Sequence, residues 1–180
     1  MAPSSTQTLV SQAEKAYQKE NYAEAASLFQ QASGQFAAEG HALKAAEQAN
    51  NQSVALLRAG DAQSALQAAQ GTETIFAQAG DRRRQALAYG NQAAALEALG
   101  RFAEAMERYR QSAELLKETG DVENRAMVLK SISALQIRTG HQLEALASME
   151  SALNQKPRLS LQERFLKKLL AVPFRMLRRE

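Results

Sequence analysis

The sequence predicts an all-α protein built from repeated antiparallel helical hairpins. The stretch from Ser4 to Lys156 contains no proline and is rich in Ala, Gln, Leu and Glu, which favour helix over strand. Within it, glycine recurs every twenty residues from Gly40 to Gly140. Between these glycines, apolar residues recur at spacings of three and four, the period of an amphipathic helix. Together these observations predict helices of similar length that alternate in direction.

Glycines and aspartates mark the predicted helix ends. Six of the nine glycines lie on the twenty-residue grid, and glycine suits the left-handed residue that ends a helix. Asp61, Asp81 and Asp121 each directly follow a grid glycine, where the next helix needs an N-cap. The predicted helices therefore span residues 6–19, 22–38, 42–59, 62–78, 82–99, 102–118, 122–139 and 142–155.

A forty-residue unit emerges when successive hairpins are superposed without gaps. Each of the two helices of the unit has one position that holds a small residue in every repeat. Small residues at these positions let the two helices approach closely. These positions are Ala25, Ala65, Ala105 and Ala145 in the second helix, and Ala13, Ser53, Ala93 and Ser133 in the first. Larger residues such as Phe29 and Tyr109 align beside them and are predicted to fill the space between hairpins.

This pattern resembles the tetratricopeptide repeat (TPR) family, in the long-repeat variety seen in kinesin light chains and mitotic-spindle adaptors. The family's signature places are filled in order by Tyr89, Ala93, Leu96, Gly100, Phe102, Ala105, Tyr109 and Ala113, and Pro157 stands where the terminal proline belongs. The resemblance implies an all-α, right-handed superhelix of four helix-turn-helix repeats with a C-terminal capping helix. The expected segments are a flexible N-terminus (1–5), repeats at 6–45, 46–85, 86–125 and 126–157, and a basic amphipathic helix in 158–180.

The resemblance also implies a scaffold that binds a peptide or partner protein on the concave face formed by the first helices. Superposition places Glu14, Gln18 and Val54 among the outward residues of the first helices, and gives Asn50, Asn51, Arg58, Asn91, Lys130 and Arg138 as groove candidates. An asparagine offers both a donor and an acceptor to a peptide backbone. The alternative, in which the asparagines are solvated and the basic residues form ordinary surface pairs, stays open. Chaperone adaptors of this family bind acidic C-termini through five residues at set places. That type of groove is not expected here, because only one of the five residues is matched, whether repeats 1 to 3 or repeats 2 to 4 are compared.

Nothing in the sequence indicates catalysis, a cofactor or a metal. Cysteine is absent, and His41 and His141, the only histidines, are far apart and each follow a grid glycine. No phosphate-binding loop or hydrolase motif occurs, and the basic run Arg82–Arg84 lacks the interleaved aromatics expected of a nucleic-acid site. We therefore expect a non-enzymatic protein that does not bind nucleic acid. Without a signal-peptide pattern, cytoplasmic is the default location.

The C-terminal segment supports two interpretations. Residues 156–180 contain eight Lys or Arg against two Glu, whereas the rest of the chain is slightly acidic. Ser160 and Glu163 form a capping box that opens a predicted amphipathic helix, and Pro173 is predicted to kink or end it. The prediction places apolar residues on one side, Leu161, Phe165, Leu166, Leu169 and Leu170, and basic residues on the other, Arg164, Lys167 and Lys168. The docking or capping candidates are Phe165, Leu166, Lys167, Lys168 and Leu169. The helix either caps the array, with Phe165 and Leu169 against the last repeat, or docks on a membrane surface, an acidic partner or a second copy.

Overall fold

The computed structural model describes residues 5–155 and 159–177, with side chains described up to Leu170. Within these ranges the chain forms ten α-helices and no strand. The helices are α1 (Ser5–Gln18), α2 (Tyr22–Ala38), α3 (Ala42–Arg58), α4 (Ala62–Ala69), α5 (Thr72–Gln78), α6 (Arg82–Ala98), α7 (Phe102–Glu118), α8 (Val122–Arg138), α9 (Gln142–Gln155) and α10 (Leu161–Leu177). The chain divides into two units, Met1–Leu115 and Leu116–Glu180, with the division inside α7. The predicted role of Pro157 lies outside the described residues.

The predicted helix boundaries are confirmed to within one residue for seven of the eight predicted helices. All six grid glycines adopt a left-handed conformation, with φ between 70° and 89°. The predicted aspartate caps are also confirmed: the side chains of Asp61, Asp81 and Asp121 accept hydrogen bonds from the backbone N–H three residues later. At these junctions, local chemistry therefore sets where one helix ends and the next begins.

One helix boundary was predicted wrongly. Residues 62–78 form two helices, α4 and α5, because Gln70 is extended (φ −67°, ψ 130°) and Gly71 is left-handed (φ 85°). The break removes the carbonyl of Ala69 from regular helix bonding. That carbonyl instead accepts hydrogen bonds from Thr72 Oγ1 at 2.7 Å and from Gln92 Nε2 at 3.1 Å. Side chains thus replace the bonds that a continuous helix would have made.

The predicted small-residue positions are confirmed as close contacts. All eight alanines and serines that align in the two helices of the repeat are buried, each with 2% or less of its surface exposed. Larger side chains fill the remaining space of the first unit: Phe29 packs with Ala13, Ala25 and Ala55, and Phe76 packs with Ala46 and Ala88. The repeat therefore builds its core by pairing small residues with a few rings.

The helix α10 continues past Pro173 to Leu177, so the proline does not end it. The predicted capping box is present, because Glu163 N–H donates to Ser160 Oγ at 3.2 Å and Ser160 N–H donates to the Glu163 carboxylate at 3.0 Å. No helix in the described residues is long and apolar enough to cross a membrane.

Glu20 occupies a grid position without being glycine. Its φ is 62°, and its N–H donates to the carbonyl of Tyr17 in the geometry that Gly40 makes with Ala37. A left-handed conformation costs a residue with a Cβ about 1 kcal/mol or more. We expect Glu20→Gly to raise the free energy of unfolding by about 1 kcal/mol, measured by urea denaturation.

A matched control for this prediction is Gln30→Gly, in the exposed interior of α2. Glycine there removes helix propensity without relieving strain, so it should lower the free energy of unfolding by about 0.5–1 kcal/mol. A loss of stability in both variants would show that the backbone at Glu20 carries no strain.

Candidate functional site

The first unit contains a concave surface formed by α1, α2 and α3. It encloses about 410 Å³ and is lined by Glu14, Tyr17, Gln18, Phe29, Asn51 and Val54. Glu14 and Gln18 are four residues apart on α1, and Asn51 and Val54 are three apart on α3, so each pair lies on one helix face. We call this surface the α1–α3 groove.

Small residues and aromatic contacts shape the α1–α3 groove. Ala13 and Ala55 are fully buried, which brings the helices close together beneath it. Phe29 is buried in the same cluster, and the Tyr17 ring packs edge-to-face on Tyr22 with centroids 5.2 Å apart. The groove therefore combines aromatic rings at its floor with polar side chains, and Glu14 is the one carboxylate among the described residues that line it.

Of the predicted groove residues in the first unit, Asn51 is on the concave surface, as predicted. It is half-buried, lines the α1–α3 groove, and donates from Nδ2 to Gln48 Oε1 at 3.4 Å, one turn earlier in the same helix. Arg58 is exposed near the end of α3 and does not line the groove. The predicted outward residues Glu14, Gln18 and Val54 also line it.

Asn50 has a different environment from the one expected of a groove residue. Only 8% of its surface is exposed, and its Oδ1 accepts a hydrogen bond from Asn91 Nδ2 at 3.3 Å. The two amides thereby join α3 to α6. Asn50 is an interior contact, and Asn91 has an intramolecular partner for one of its amide hydrogens.

Lys130 and Arg138 belong to α8, in the second unit. Lys130 Nζ lies 3.7 Å from Glu163 Oε1, so α8 and α10 are joined by an ion pair. Arg138 is exposed near the end of α8. For Lys130, the structure thus shows the surface pair that was the alternative to a recognition site.

A second concavity in the first unit is organised by internal ion pairs. It encloses about 600 Å³ beside α3 and is lined by Gly40, His41, Ala42, Leu43, Lys44, Glu47 and Arg84. The Arg84 guanidinium contacts Asp81 Oδ2 at 2.8 Å and Glu47 Oε2 at 3.4 Å. The pKa of Asp81 is lowered, chiefly because its carboxylate accepts the backbone N–H of Arg84. Arg84 therefore serves as a link between α3 and α6.

Sequence reasoning missed the aromatic part of the α1–α3 groove. Tyr17 was not singled out, and Phe29 was interpreted only as a residue that fills space between hairpins. The available signal was the position of Tyr17, three residues after Glu14 and one before Gln18, both already placed on the outward face of α1. No group of three or more potential metal-ligating side chains occurs in the described part of the chain.

The candidate residues of α10 divide between two sides of the helix. Phe165, Leu166, Lys168 and Leu169 are exposed, whereas Lys167 is half-buried and Leu170 is buried with 5% exposure. A simple cap would require Phe165 and Leu169 to lie against the last repeat, but both side chains are more than half exposed. The contact with the rest of the second unit is made from the other side of the helix, and it includes α9.

Comparisons with known proteins agree with this architecture. No protein-family model matches the sequence, and no curated protein gives a significant match. Among solved structures, the chain is similar to a Podosopora anserina protein assigned as a kinesin light chain with nearly identical TPR-like repeats, and to a point variant of that protein. Identity is 16% in both cases, 96% of each chain is covered, and the TM-scores are 0.53 and 0.54. The predicted all-α, TPR-like repeat fold is confirmed.

Proposed function

We propose that this protein is a non-enzymatic interaction scaffold that binds an extended or helical peptide segment in the α1–α3 groove. The observation that carries the proposal is the convergence of Glu14, Gln18, Asn51 and Val54, all on outward helix faces, around the Tyr17 ring. Apolar contacts supply affinity in such a groove, and amide side chains recognise peptide backbone largely independently of its sequence.

The shape and charge of the groove define the kind of segment that it fits. A volume of about 410 Å³ takes a few side chains rather than a folded domain. The aromatic rings at the floor favour an apolar anchor residue, and the Glu14 carboxylate favours a neutral or basic neighbour over an acidic one. None of the described residues that line the groove is basic, which fits the mismatch with the acidic-tail clamp of chaperone adaptors.

The test uses the full chain as bait for a random peptide display library. Enriched peptides are then measured for affinity by fluorescence anisotropy. Asn51→Ala should weaken a selected peptide by about 1–3 kcal/mol, because a buried backbone group of the peptide loses its partner. The unfolding midpoint should stay close to that of the wild type, because the hydrogen bond that Asn51 makes within the described residues is a long one to Gln48 of the same helix.

The matched control is Gln12→Ala, an exposed side chain on a different face of α1 that lines a separate depression. It should leave peptide affinity unchanged. Asn91→Ala offers a second comparison: it should lower stability, because Asn50 would lose its amide donor. If Asn51→Ala and Gln12→Ala bind the selected peptides equally well, the groove is not the recognition surface.

A further inference from the structure

The terminal helix α10 is held by one face. Glu163 and Lys167 are half-buried and Leu170 is buried, and their spacing of four and three places them on one side of the helix. Glu163 on this side pairs with Lys130 of α8. This face attaches α10 to the second unit.

The attachment follows the register of the repeat. In the superposed array, Lys130 aligns with Gly90 one unit earlier and with Asn50 two units earlier. Asn50 joins α3 to the next first helix, α6. Lys130 likewise joins α8 to α10. The helix α10 therefore occupies the place of a further first helix, which in a complete hairpin would have its other side covered by a second helix.

That other side is an uncovered apolar stripe. Leu161, Phe165 and Leu169 recur every four residues and are 84%, 67% and 51% exposed. Among the described residues, eight of the nine exposed large apolar side chains belong to the second unit, and four of these are on α10. A stripe of this kind is expected to contact an apolar phase or partner.

The charges beside the stripe indicate which partner. Arg164 and Lys168 are exposed and follow the stripe along one edge of the helix, whereas Glu163, the only acidic residue in 159–170, faces Lys130 on the attached side. A second copy of α10 would bring further cations to this surface and no acidic residue to neutralise them. An apolar stripe edged by cations complements anionic headgroups above an acyl layer.

We propose that α10 docks on the surface of an anionic lipid bilayer through Leu161, Phe165 and Leu169, with Arg164 and Lys168 at the headgroups. The opposite face of the same helix keeps α10 attached to the array. Capping and docking are therefore simultaneous roles of two faces of one helix. The repeats would in this way be presented at a membrane surface.

The experiment is flotation of the full chain with phosphatidylcholine vesicles that contain about a third phosphatidylserine, compared with phosphatidylcholine alone. The protein should float with the anionic vesicles and progressively less as salt is raised. Phe165→Ser combined with Leu169→Ser should lower the partition coefficient by about tenfold or more, because two apolar side chains no longer enter the bilayer interface. Arg164→Gln combined with Lys168→Gln should lower it by about tenfold or more on anionic vesicles only.

The matched control is Leu143→Ser, an apolar residue of α9 that is 60% exposed in the same unit. It should float as the wild type does. Equal flotation of wild type and both α10 variants, or no preference for anionic vesicles, overturns the proposal. A wild-type dimer in sedimentation velocity that Phe165→Ser with Leu169→Ser abolishes, without vesicle binding, would assign the stripe to self-association instead. Should the serine variant misfold, the glutamine variant decides the proposal: reduced flotation with anionic vesicles supports it, and flotation equal to that of the wild type overturns it.

Discussion

Replacing Phe76 with alanine should lower the free energy of unfolding by about 3–5 kcal/mol, the usual cost of removing a buried ring from a core that collapses only partly. The ring is 1% exposed and packs with Ala46 of α3 and Ala88 of α6. The buried residues of this cluster besides Phe76 are alanines, which are too small to fill the cavity, and Ile75 is the larger side chain that packs against them. Urea denaturation with a constant m-value would measure the loss.

The control for this prediction is Phe165→Ala, which removes the same ring from an exposed position of α10. Its effect on unfolding should stay within about 0.5 kcal/mol. A simple cap, with Phe165 against the last repeat, would instead have cost about 3 kcal/mol at this position. Similar losses for Phe76→Ala and Phe165→Ala would contradict the burial assigned to both rings.

Enlarging Ala105 to leucine should destabilise the protein by about 1–3 kcal/mol, because the added carbons have no space between the helices. Ala105 in α7 has no exposed surface, and it belongs to the set of small residues that recurs every forty positions. Thermal unfolding followed by circular dichroism would measure the shift.

Ala103→Leu provides the matched control, since Ala103 is exposed in the first turn of the same helix. Leucine and alanine have similar helix propensities, so the unfolding midpoint should hardly change. An Ala105→Leu variant as stable as Ala103→Leu would mean that helix contacts at this position are looser than the burial indicates.

The features that the sequence predicted well depend on local chemistry. A left-handed glycine followed by an aspartate is recognisable from neighbouring residues alone, which is why the junctions at Gly60, Gly80 and Gly120 were placed correctly. The recurrence of small residues also predicted that positions such as Ala105 are buried. Repetition turned several weak local signals into one consistent prediction of the fold.

The features that escaped prediction depend on contacts far apart in sequence. Gly71 inside an apolar helical pattern could be tolerated or could break the helix, and here the carbonyl of Ala69 finds donors in Thr72 and Gln92. Asn50 and Asn51 are neighbours in a first helix, and both were predicted to face outward, but the hydrogen bond between Asn50 and Asn91 places Asn50 in the interior. For α10, apolar residues lie on two sides, and only its packing in the second unit shows that Leu170 rather than Phe165 is buried.

The broken helix between α4 and α5 also bears on how cooperatively the first unit unfolds. In a repeat array, the coupling between neighbours determines whether repeats melt together or fray one at a time from an end. The Ala69 carbonyl bonded to Gln92, together with the amide pair of Asn50 and Asn91, adds polar coupling between the second and third repeats. Amide hydrogens on both sides of this junction should therefore exchange with solvent through a common opening event, whereas those of α1 should exchange independently and sooner.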